Sequence, residues 1–197
     1  MTGIIYYGAG NIFSLTAALD RLEAPYQVIS SPVDPAGFER FIIPGVGHAG
    51  KAMQKLQDSG LMPFITSLTK PVLGICVGMQ LLSQYSEEGN ADLLGIVPLK
   101  TRLFDKTLGA KVPHMGWTPI ETLAGEPLFS GLPKQCQVYF VHSYYIEYNP
   151  NFTIAKAQHA TEFSAAVKKD NFLGVQFHPE KSGPAGEAIL NNFIKLY

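Results

Sequence analysis

The sequence is poor in charged residues, poor in cysteine and free of long apolar runs. Charged side chains make up 16% of the 197 residues, whereas hydrophobic ones make up 46%. Intrinsic disorder needs the opposite balance, so we predict a folded chain. Lys and Arg together number 15 against 16 Asp and Glu, which gives a net charge of −1. Because no basic excess is present to neutralise a phosphate backbone, nucleic acid is not an expected partner.

The two cysteines, Cys76 and Cys136, are too few for a disulfide scaffold or a four-thiolate zinc site. Their number indicates a reducing compartment. Residues 1–19 carry no charged side chain, but glycines and polar residues interrupt the stretch. It has neither the basic start of a signal peptide nor the apolar length of a membrane span. We therefore expect a single cytoplasmic domain over residues 1–197, with no membrane partner.

Strand-like and helix-like segments alternate through the first half of the chain. The predicted strands are 3–7, 26–29, 41–43 and 72–75, and the predicted helices are 11–23, 50–58, 61–68 and 77–84. This alternation is typical of an α/β fold with a mostly parallel central sheet flanked by helices. The second half predicts additional antiparallel strands at 95–104, 117–121, 136–148, 152–158, 163–169 and 171–177, and then a final amphipathic helix.

Cys76 lies in the segment Gly74-Ile75-Cys76-Val77-Gly78, between a predicted buried strand and a predicted helix. This is a G-x-C-x-G form of the nucleophile elbow, in which the glycines permit a tight strand-to-helix turn. A helix N-terminus favours the thiolate form, and backbone N–H groups there can hold an oxyanion. A buried structural cysteine is the competing interpretation.

His178 and Glu180 stand two positions apart at the end of a predicted strand. A thiol nucleophile needs a base, and the base needs an orienting group. In an extended backbone both side chains project to the same side, where they can meet each other or both face the thiol. A solvated surface turn is the alternative.

The segment Pro44-Gly45-Val46-Gly47 breaks the third predicted strand. Its glycines free the backbone, so it can supply an oxyanion donor beside the N–H of Val77. A plain turn is the alternative.

The remaining histidines are His48, His114, His142 and His159. They show no mutual metal-ligand spacing, and we expect packing or surface roles for them. No phosphate-binding loop or complete dinucleotide fingerprint is present. Neither a metal nor a cofactor is expected.

Two segments together resemble the class I, triad-type glutamine amidotransferases. They are Gly-x-Cys-x-Gly-Met-Gln at 74–80 and Gln-Phe-His-Pro-Glu at 176–180. The likeness runs over nearly the whole chain and implies the flavodoxin-like α/β fold of that family. Segments 8–12, 112–117 and 139–144 are similar to signatures of the glutaminase subunits of imidazole glycerol phosphate synthase. Those subunits commonly have Asn where this chain has Thr118, and Leu where it has Val77.

The resemblance implies a mechanism for this chain. Cys76 attacks the carboxamide of glutamine, His178 transfers the proton to the departing ammonia, and Glu180 orients His178. The oxyanion is held by the N–H of Val77 and a backbone N–H among residues 45–47, which are Gly45, Val46 and Gly47. The glutamine site implied by the resemblance comprises Gly47, Gln80, Glu88 and Ser143.

The resemblance also implies a partner. Ammonia would pass to a separate (β/α)₈-barrel cyclase in a heterodimer that serves histidine biosynthesis. The implied interface residues are Met115, Trp117, Tyr139 and Lys181. Core packing is the alternative for Met115 and Trp117. Three other functions remain open: the glutaminase of another triad amidotransferase, a hydrolase of peptides or γ-glutamyl chains, and a non-catalytic subunit of the same fold.

Overall fold

The computed structural model describes residues 1–123 and 125–197. Five helices are α1 (Ile12–Arg21), α2 (Ala49–Asp58), α3 (Leu61–Ser67), α4 (Val77–Leu81) and α5 (Gly183–Leu196). The strands of the first half are β1 (Thr2–Ile5), β2 (Tyr26–Ile29), β3 (Arg40–Gly45), β4 (Val72–Cys76), β5 (Ser83–Ser86), β6 (Ala91–Asp92) and β7 (Val97–Leu103). Those of the second half are β8 (His114–Thr122), β9 (Gln135–His142), β10 (Tyr144–Glu147), β11 (Thr153–Gln158), β12 (Glu162–Lys169) and β13 (Phe172–Val175).

The sheet has a parallel half and a mostly antiparallel half. Its main path runs β2-β1-β3-β4-β13-β12-β10-β7-β5-β6, and β11, β8 and β9 branch from β12. All neighbours from β2 to β13 are parallel. From β13 onward the pairs are antiparallel except β5 with β7. The predicted α/β fold class, with antiparallel additions, is confirmed.

The start of α1 follows from local chemistry. Asn11 accepts a hydrogen bond from the backbone N–H of Ser14 and so caps the helix. Leu15, Ala18 and Leu19 are buried on one face, as the predicted periodicity requires. The predicted cap and helix are therefore confirmed.

The predicted run at 136–148 is divided into β9 and β10, with Ser143 between them. Two other predicted boundaries are also wrong. The helix at 77–84 ends at Leu81, because Ser83 pairs with Val97 to begin β5. The predicted break at Pro44 does not occur, since β3 continues to Gly45 by pairing with β4. In both places strand pairing with a distant segment outweighs the local pattern. Within residues 1–123 and 125–197, no helix is long and apolar enough to cross a membrane.

Candidate active site

Cys76 lies at the junction of β4 and α4, with φ 55° and ψ −111°. A positive φ is uncommon for a residue other than glycine and costs about 1–3 kcal/mol when the surroundings enforce it. The surroundings do so here, because β4 is buried on both sides and α4 begins at the next residue. The turn holds the thiol at the wall of a cavity.

The two glycines of the elbow are required by close packing. A Cβ on Gly78 would lie 1.9 Å from the carbonyl oxygen of Ile43, and one on Gly74 would lie 2.5 Å from the carbonyl oxygen of Gly78. Any side chain would therefore push α4 away from β3 and β4. The G-x-C-x-G spacing has a steric cause in this fold.

His178 and Glu180 contact each other in a turn. His178 precedes a 3₁₀ turn at Pro179–Lys181, and its Nδ1 lies 2.8 Å from Oε1 of Glu180. Both side chains are buried, at 2% and 4% exposure. The extended geometry expected there is absent, and the turn brings the two groups together instead. Ser182 closes this turn by donating its hydroxyl to the carbonyl oxygen of His178 at 2.6 Å.

The surroundings of His178 favour its charged form. Burial lowers the pKa of His178, but polar contact with Cys76 and the hydrogen bond with Glu180 outweigh burial and raise the pKa to about 9. Nε2 is buried and, among the described residues, has no hydrogen-bond partner. Cys76 therefore raises the pKa of His178 although Nε2 and the sulfur do not form a well-formed hydrogen bond. Nε2 is available to a group that enters between them.

One cavity of about 310 Å³ brings the candidate residues together. Its lining residues are Val46, Gly47, Cys76, Val77, Gln80, Glu88, Pro113, Val141, His142, Ser143, Tyr144 and His178. Glu180 does not line the cavity, because it lies behind His178 and contacts Nδ1. Gly45 also lies outside the cavity, in β3 opposite Cys76. Val46 and Gly47 therefore bring their backbone closer to the thiol's cavity than Gly45 does.

Comparisons with known proteins agree with this geometry. The model of the family described as glutamine amidotransferase class-I matches residues 4–196. The chain belongs to the class-I glutamine amidotransferases. The membership predicted from segments 74–80 and 176–180 is thereby confirmed.

Among curated relatives of this amidotransferase, a protein of Bacteroides fragilis named imidazole glycerol phosphate synthase subunit HisH is 47% identical over 194 residues. That match covers 98% of each chain. The protein of the same name from Pasteurella multocida is 45% identical, covering 98% of this chain and 96% of the relative. A Legionella pneumophila protein named imidazole glycerol phosphate synthase subunit HisH 2 is 42% identical over 196 residues, covering 100% of this chain and 98% of the relative.

Solved structures show the same fold at low identity. A protein described as a glutamine amidotransferase superposes with a TM-score of 0.75 at 15% identity, over 99% of this chain and 97% of the other. PurLQS from Thermotoga maritima has a TM-score of 0.67 at 16% identity, over 99% and 97%. These similarities support the fold assignment only and give no information on the substrate.

The predicted glutamine-site residues of this amidotransferase all line the cavity: Gly47, Gln80, Glu88 and Ser143. Glu88 accepts a hydrogen bond of 2.6 Å from the backbone N–H of Ala49, at the start of α2. Gln80 is buried and donates from Nε2 to the carbonyl oxygen of Tyr144 at 3.0 Å. Their placement agrees with the prediction, and their binding roles stay predictions.

Three of the four predicted interface residues are exposed, and Tyr139 is half-buried. Met115 is 63% exposed and Trp117 is 55% exposed, so the alternative of core packing does not apply to them. Trp117 pairs with Tyr139 across β8 and β9, with ring centroids 6.1 Å apart. Lys181 is exposed in the turn next to Glu180. Lys181 lies in the turn that follows His178, and the carbonyl oxygen of Tyr139 accepts a hydrogen bond from the N–H of His178.

Three of the remaining histidines form a cluster that the sequence spacing did not reveal. His114 Nδ1 lies 2.9 Å from His142 Nε2, and the rings of His114 and His159 stack with centroids 4.1 Å apart. His142 Nδ1 donates to the carbonyl oxygen of Tyr144 at 2.8 Å. The hydroxyl of Thr118 lies 2.8 Å from His114 Nε2, so Thr118 makes a local polar contact. Over residues 1–123 and 125–197, no group of three or more His, Cys, Asp or Glu is arranged to hold a metal ion.

Gln176 is a site residue to which the sequence assigned no role. Its Nε2 lies 3.6 Å from the sulfur of Cys76, and its side chain is fully buried. The parallel pairing of β13 with β4 brings position 176 beside Cys76. The signal available in the sequence was that Gln176 stands two residues before His178.

Proposed function

We propose that this chain is the glutaminase subunit of imidazole glycerol phosphate synthase. It hydrolyses glutamine to glutamate and ammonia and delivers the ammonia to a separate cyclase subunit for histidine biosynthesis. One observation carries the proposal: Cys76 and His178 share a single cavity, and Glu180 supports His178 from behind. The identity of 47% to a protein named imidazole glycerol phosphate synthase subunit HisH supports the assignment to this enzyme.

The first half of the reaction forms a thioester. His178 takes the thiol proton, and the Cys76 sulfur attacks the side-chain carboxamide carbon of glutamine. The N–H of Val77 and a backbone N–H at Val46 or Gly47 hold the oxyanion, and loss of one such donor typically lowers the rate by about 10²–10³. The tetrahedral adduct collapses as His178 protonates the departing nitrogen, which leaves as ammonia. In the resting site the pKa of about 9 favours the protonated imidazole. After the sulfur has attacked, the Glu180 carboxylate still contacts Nδ1 and stabilises the proton until the nitrogen accepts it.

The second half regenerates the thiol. Ammonia has left, so a water molecule reaches the thioester carbon and transfers a proton to His178. The carbon–sulfur bond breaks, glutamate forms, and the proton returns to the sulfur. Glu180 stabilises the imidazolium in both halves, because its carboxylate accepts the Nδ1 hydrogen at 2.8 Å.

The cavity favours a small substrate. Its volume of about 310 Å³ lies at the lower end of the range for ligand pockets, about 300–1,000 Å³. Glu88 offers a carboxylate for the α-ammonium group of glutamine, and the backbone at Gly47 and Ser143 offers polar groups for the α-carboxylate. A hydrolase of peptides or γ-glutamyl chains would need a longer groove.

A partner explains the exposed aromatic surface. Met115 and Trp117 are large apolar side chains on one strand face, and Tyr139 is next to them across the sheet. Aromatic and methionine side chains are enriched where protein surfaces meet. We assign this surface, with Lys181, to a (β/α)₈-barrel cyclase in a heterodimer. A closed interface would keep ammonia from bulk water.

The test is glutamate release from glutamine, measured with the chain alone and with the cyclase and its ribotide ligand. Low activity alone and strong stimulation by the liganded cyclase are expected. A rate of glutamate release that is the same with and without the liganded cyclase would overturn the assignment to this synthase. It would favour another amidotransferase or a hydrolase. No glutamate release from a folded, confirmed complex would favour a non-catalytic subunit.

A matched pair of variants isolates the thiol. Cys76→Ala should abolish glutamate release, while the cyclase should still turn over when ammonium salt replaces glutamine. Cys136→Ala, which removes a buried cysteine in β9, should retain glutamine-dependent activity. Equal losses in the two variants would point to folding rather than chemistry.

A further inference from the structure

We propose that Gln176 is a positioning residue for the nucleophile, because its side-chain amide donates a hydrogen bond to the sulfur of Cys76. The orientation of the Gln176 amide is set by Gln80, which is itself oriented by the carbonyl oxygen of Tyr144. The proposal rests on the proposed function, because it treats Cys76 as the nucleophile. It adds a residue that acts through Cys76 and contacts no substrate.

The backbone places Gln176 beside the thiol. Val175, the last residue of β13, pairs with Ile75 in the parallel β13–β4 ladder, so Gln176 follows β13 at the level of Cys76. The N–H of Gln176 donates to the carbonyl oxygen of Ala165 at 2.8 Å, which fixes the backbone at this point. The side chain has 0% exposure, and its Nε2 lies 3.6 Å from the sulfur. Burial thus shields this contact from solvent.

The direction of the Gln176 amide follows from a fixed acceptor. The carbonyl oxygen of Tyr144 can only accept, so the Gln80 atom 3.0 Å from it is the nitrogen. The same nitrogen lies 3.0 Å from the Gln176 side chain, which must therefore present its oxygen there. The Gln176 nitrogen is left facing Cys76. A reversed Gln176 would set two amide nitrogens against each other and an oxygen against the sulfur.

The fixed acceptor is itself anchored in the cavity wall. His142 Nδ1 also donates to the carbonyl oxygen of Tyr144, at 2.8 Å. Gln80, His142 and Tyr144 all line the cavity. A chain of hydrogen bonds therefore runs from the carbonyl oxygen of Tyr144 through the side-chain amides of Gln80 and Gln176 to the sulfur of Cys76.

The chemical consequence is a bias toward the reactive form of the sulfur. An N–H donor stabilises a thiolate more than a thiol, because the hydrogen bond to the charged form is the stronger. The donor also restrains the sulfur on the side of β13. Both effects favour attack by Cys76, and neither requires contact between Gln176 and glutamine.

The experiment measures the sulfur directly, without glutamine or the cyclase. Alkylation of Cys76 by iodoacetamide is followed from pH 5 to 10 in a Cys136→Ala background, with the labelled peptide identified by mass spectrometry. Gln176→Met keeps the length of the side chain and removes the donor. We expect the midpoint of its alkylation profile to rise by about one to two pH units, the range for a hydrogen bond to a charged group. Gln158→Met, an exposed change in β11, is the matched control and should leave the midpoint unchanged.

A second variant tests the relay. Gln80→Met frees Gln176 to rotate, so we expect a smaller upward shift than in Gln176→Met. In glutaminase assays with the liganded cyclase, Gln176→Met should lower kcat about tenfold with little change in KM, whereas Gln80→Met should also raise KM. An unchanged midpoint in folded Gln176→Met would overturn the proposal.

A measurement on the unmodified residue covers the case in which Gln176→Met does not fold. In an ¹⁵N-labelled Cys136→Ala chain, the Gln176 side-chain amide resonances should move as Cys76 titrates and again when Cys76 is alkylated. Resonances that stay fixed through both would also overturn the proposal. If the alkylation midpoint shifts while no complex releases glutamate, the proposed function fails and the positioning role of Gln176 stands.

Discussion

The backbone N–H of His178 donates a hydrogen bond of 2.9 Å to the carbonyl oxygen of Tyr139. Tyr139 in turn donates its own N–H to Ser182 Oγ at 2.9 Å, and the Ser182 hydroxyl donates to the carbonyl oxygen of His178 at 2.6 Å. The three bonds form a closed circuit. It fastens β9, which carries Tyr139 of the proposed interface, to the turn that follows His178.

Ser182→Ala should weaken this circuit. Ser182 is buried at 1% exposure, so its loss leaves one backbone N–H and one carbonyl without this partner. We expect the free energy of unfolding to fall by about 1–3 kcal/mol and kcat to fall with it, because the His178 turn loosens. Chemical denaturation and the glutaminase assay measure the two effects. Ser31→Ala, an exposed change, is the control, and equal stability of the two variants would contradict the role of the circuit.

Glu180→Gln should lower the pKa of His178 from about 9 toward its ordinary value of 6.5. The amide still accepts from Nδ1 but no longer carries a charge that stabilises the imidazolium. We expect glutamine hydrolysis to fall by about 10²–10⁴, the usual contribution of positioned proton transfer. An NMR titration of His178 measures the pKa, and Glu187→Gln on α5 is a surface control.

The same pair predicts an alkaline loss of stability. The folded pKa of His178 lies above its ordinary value, so the folded chain holds a proton that the unfolded chain releases between about pH 6.5 and 9. The stabilisation is complete below about pH 6.5 and disappears as the pH rises through 9. The melting temperature of Glu180→Gln should depend less on pH in this window. If the melting temperatures of Glu180→Gln and the parent chain changed equally with pH, the proposed link between His178 protonation and stability would be wrong.

Gly78→Ala should damage both folding and activity. The added methyl group would lie 1.9 Å from a backbone oxygen of Ile43, which has no freedom to move within β3. The cost should exceed the roughly 1–3 kcal/mol that is usual for overpacking, and the elbow should lose its shape. Gly37→Ala meets no atom within 4 Å and should change stability by less than about 1 kcal/mol. Similar urea midpoints for the two variants would contradict the steric explanation.

Acid should destabilise the chain through the histidine cluster. Burial and the neighbouring histidine lower the pKa of His114 to about 4, and burial together with nearby histidines lowers that of His142 to about 3. Unfolded imidazoles bind protons below about pH 6.5 that the folded ones reject, so stability is lost as the pH falls from 6.5 toward 3.

His142→Asn tests the contribution of the cluster. The Asn side chain keeps an amide N–H near the position of Nδ1 for the carbonyl oxygen of Tyr144, and it does not titrate. Its melting temperature should therefore fall less between pH 7 and pH 5 than that of the parent chain. Thermal melts at the two pH values measure the difference, and identical slopes would exclude the cluster as a cause.

Trp117→Ala should weaken the cyclase complex and leave the fold intact. Trp117 is 55% exposed, so its removal costs little folding energy, whereas an aromatic anchor at an interface often contributes about 2 kcal/mol or more. We expect Kd to rise about 30-fold or more, measured by calorimetry with the cyclase. Leu196→Ala, which removes a similarly exposed side chain at the end of α5, should not change Kd. An unchanged Kd for Trp117→Ala would place the interface elsewhere.

Several local features of this protein follow from its amino-acid sequence alone. Asn11 caps α1 because its side chain reaches an N–H three residues away. The elbow at Cys76 is evident because glycines at two fixed positions permit the turn. The spacing of His178 and Glu180 indicated that they can meet each other or both face the thiol, and a turn rather than an extended strand brings them together.

Contacts between groups that are distant in sequence depend on the tertiary fold. Gln176 reaches Cys76 across 100 residues, and Glu88 reaches the N–H of Ala49 across 39. The spacing of His114 and His142 did not show that they share a hydrogen bond. The order of strands in the sheet sets these contacts, and that order depends on how the whole chain buries its apolar surface. The spacing of residues along the sequence predicts local turns. The parallel pairing of β4 and β13, which spacing does not predict, places the Gln176 amide beside the Cys76 thiol.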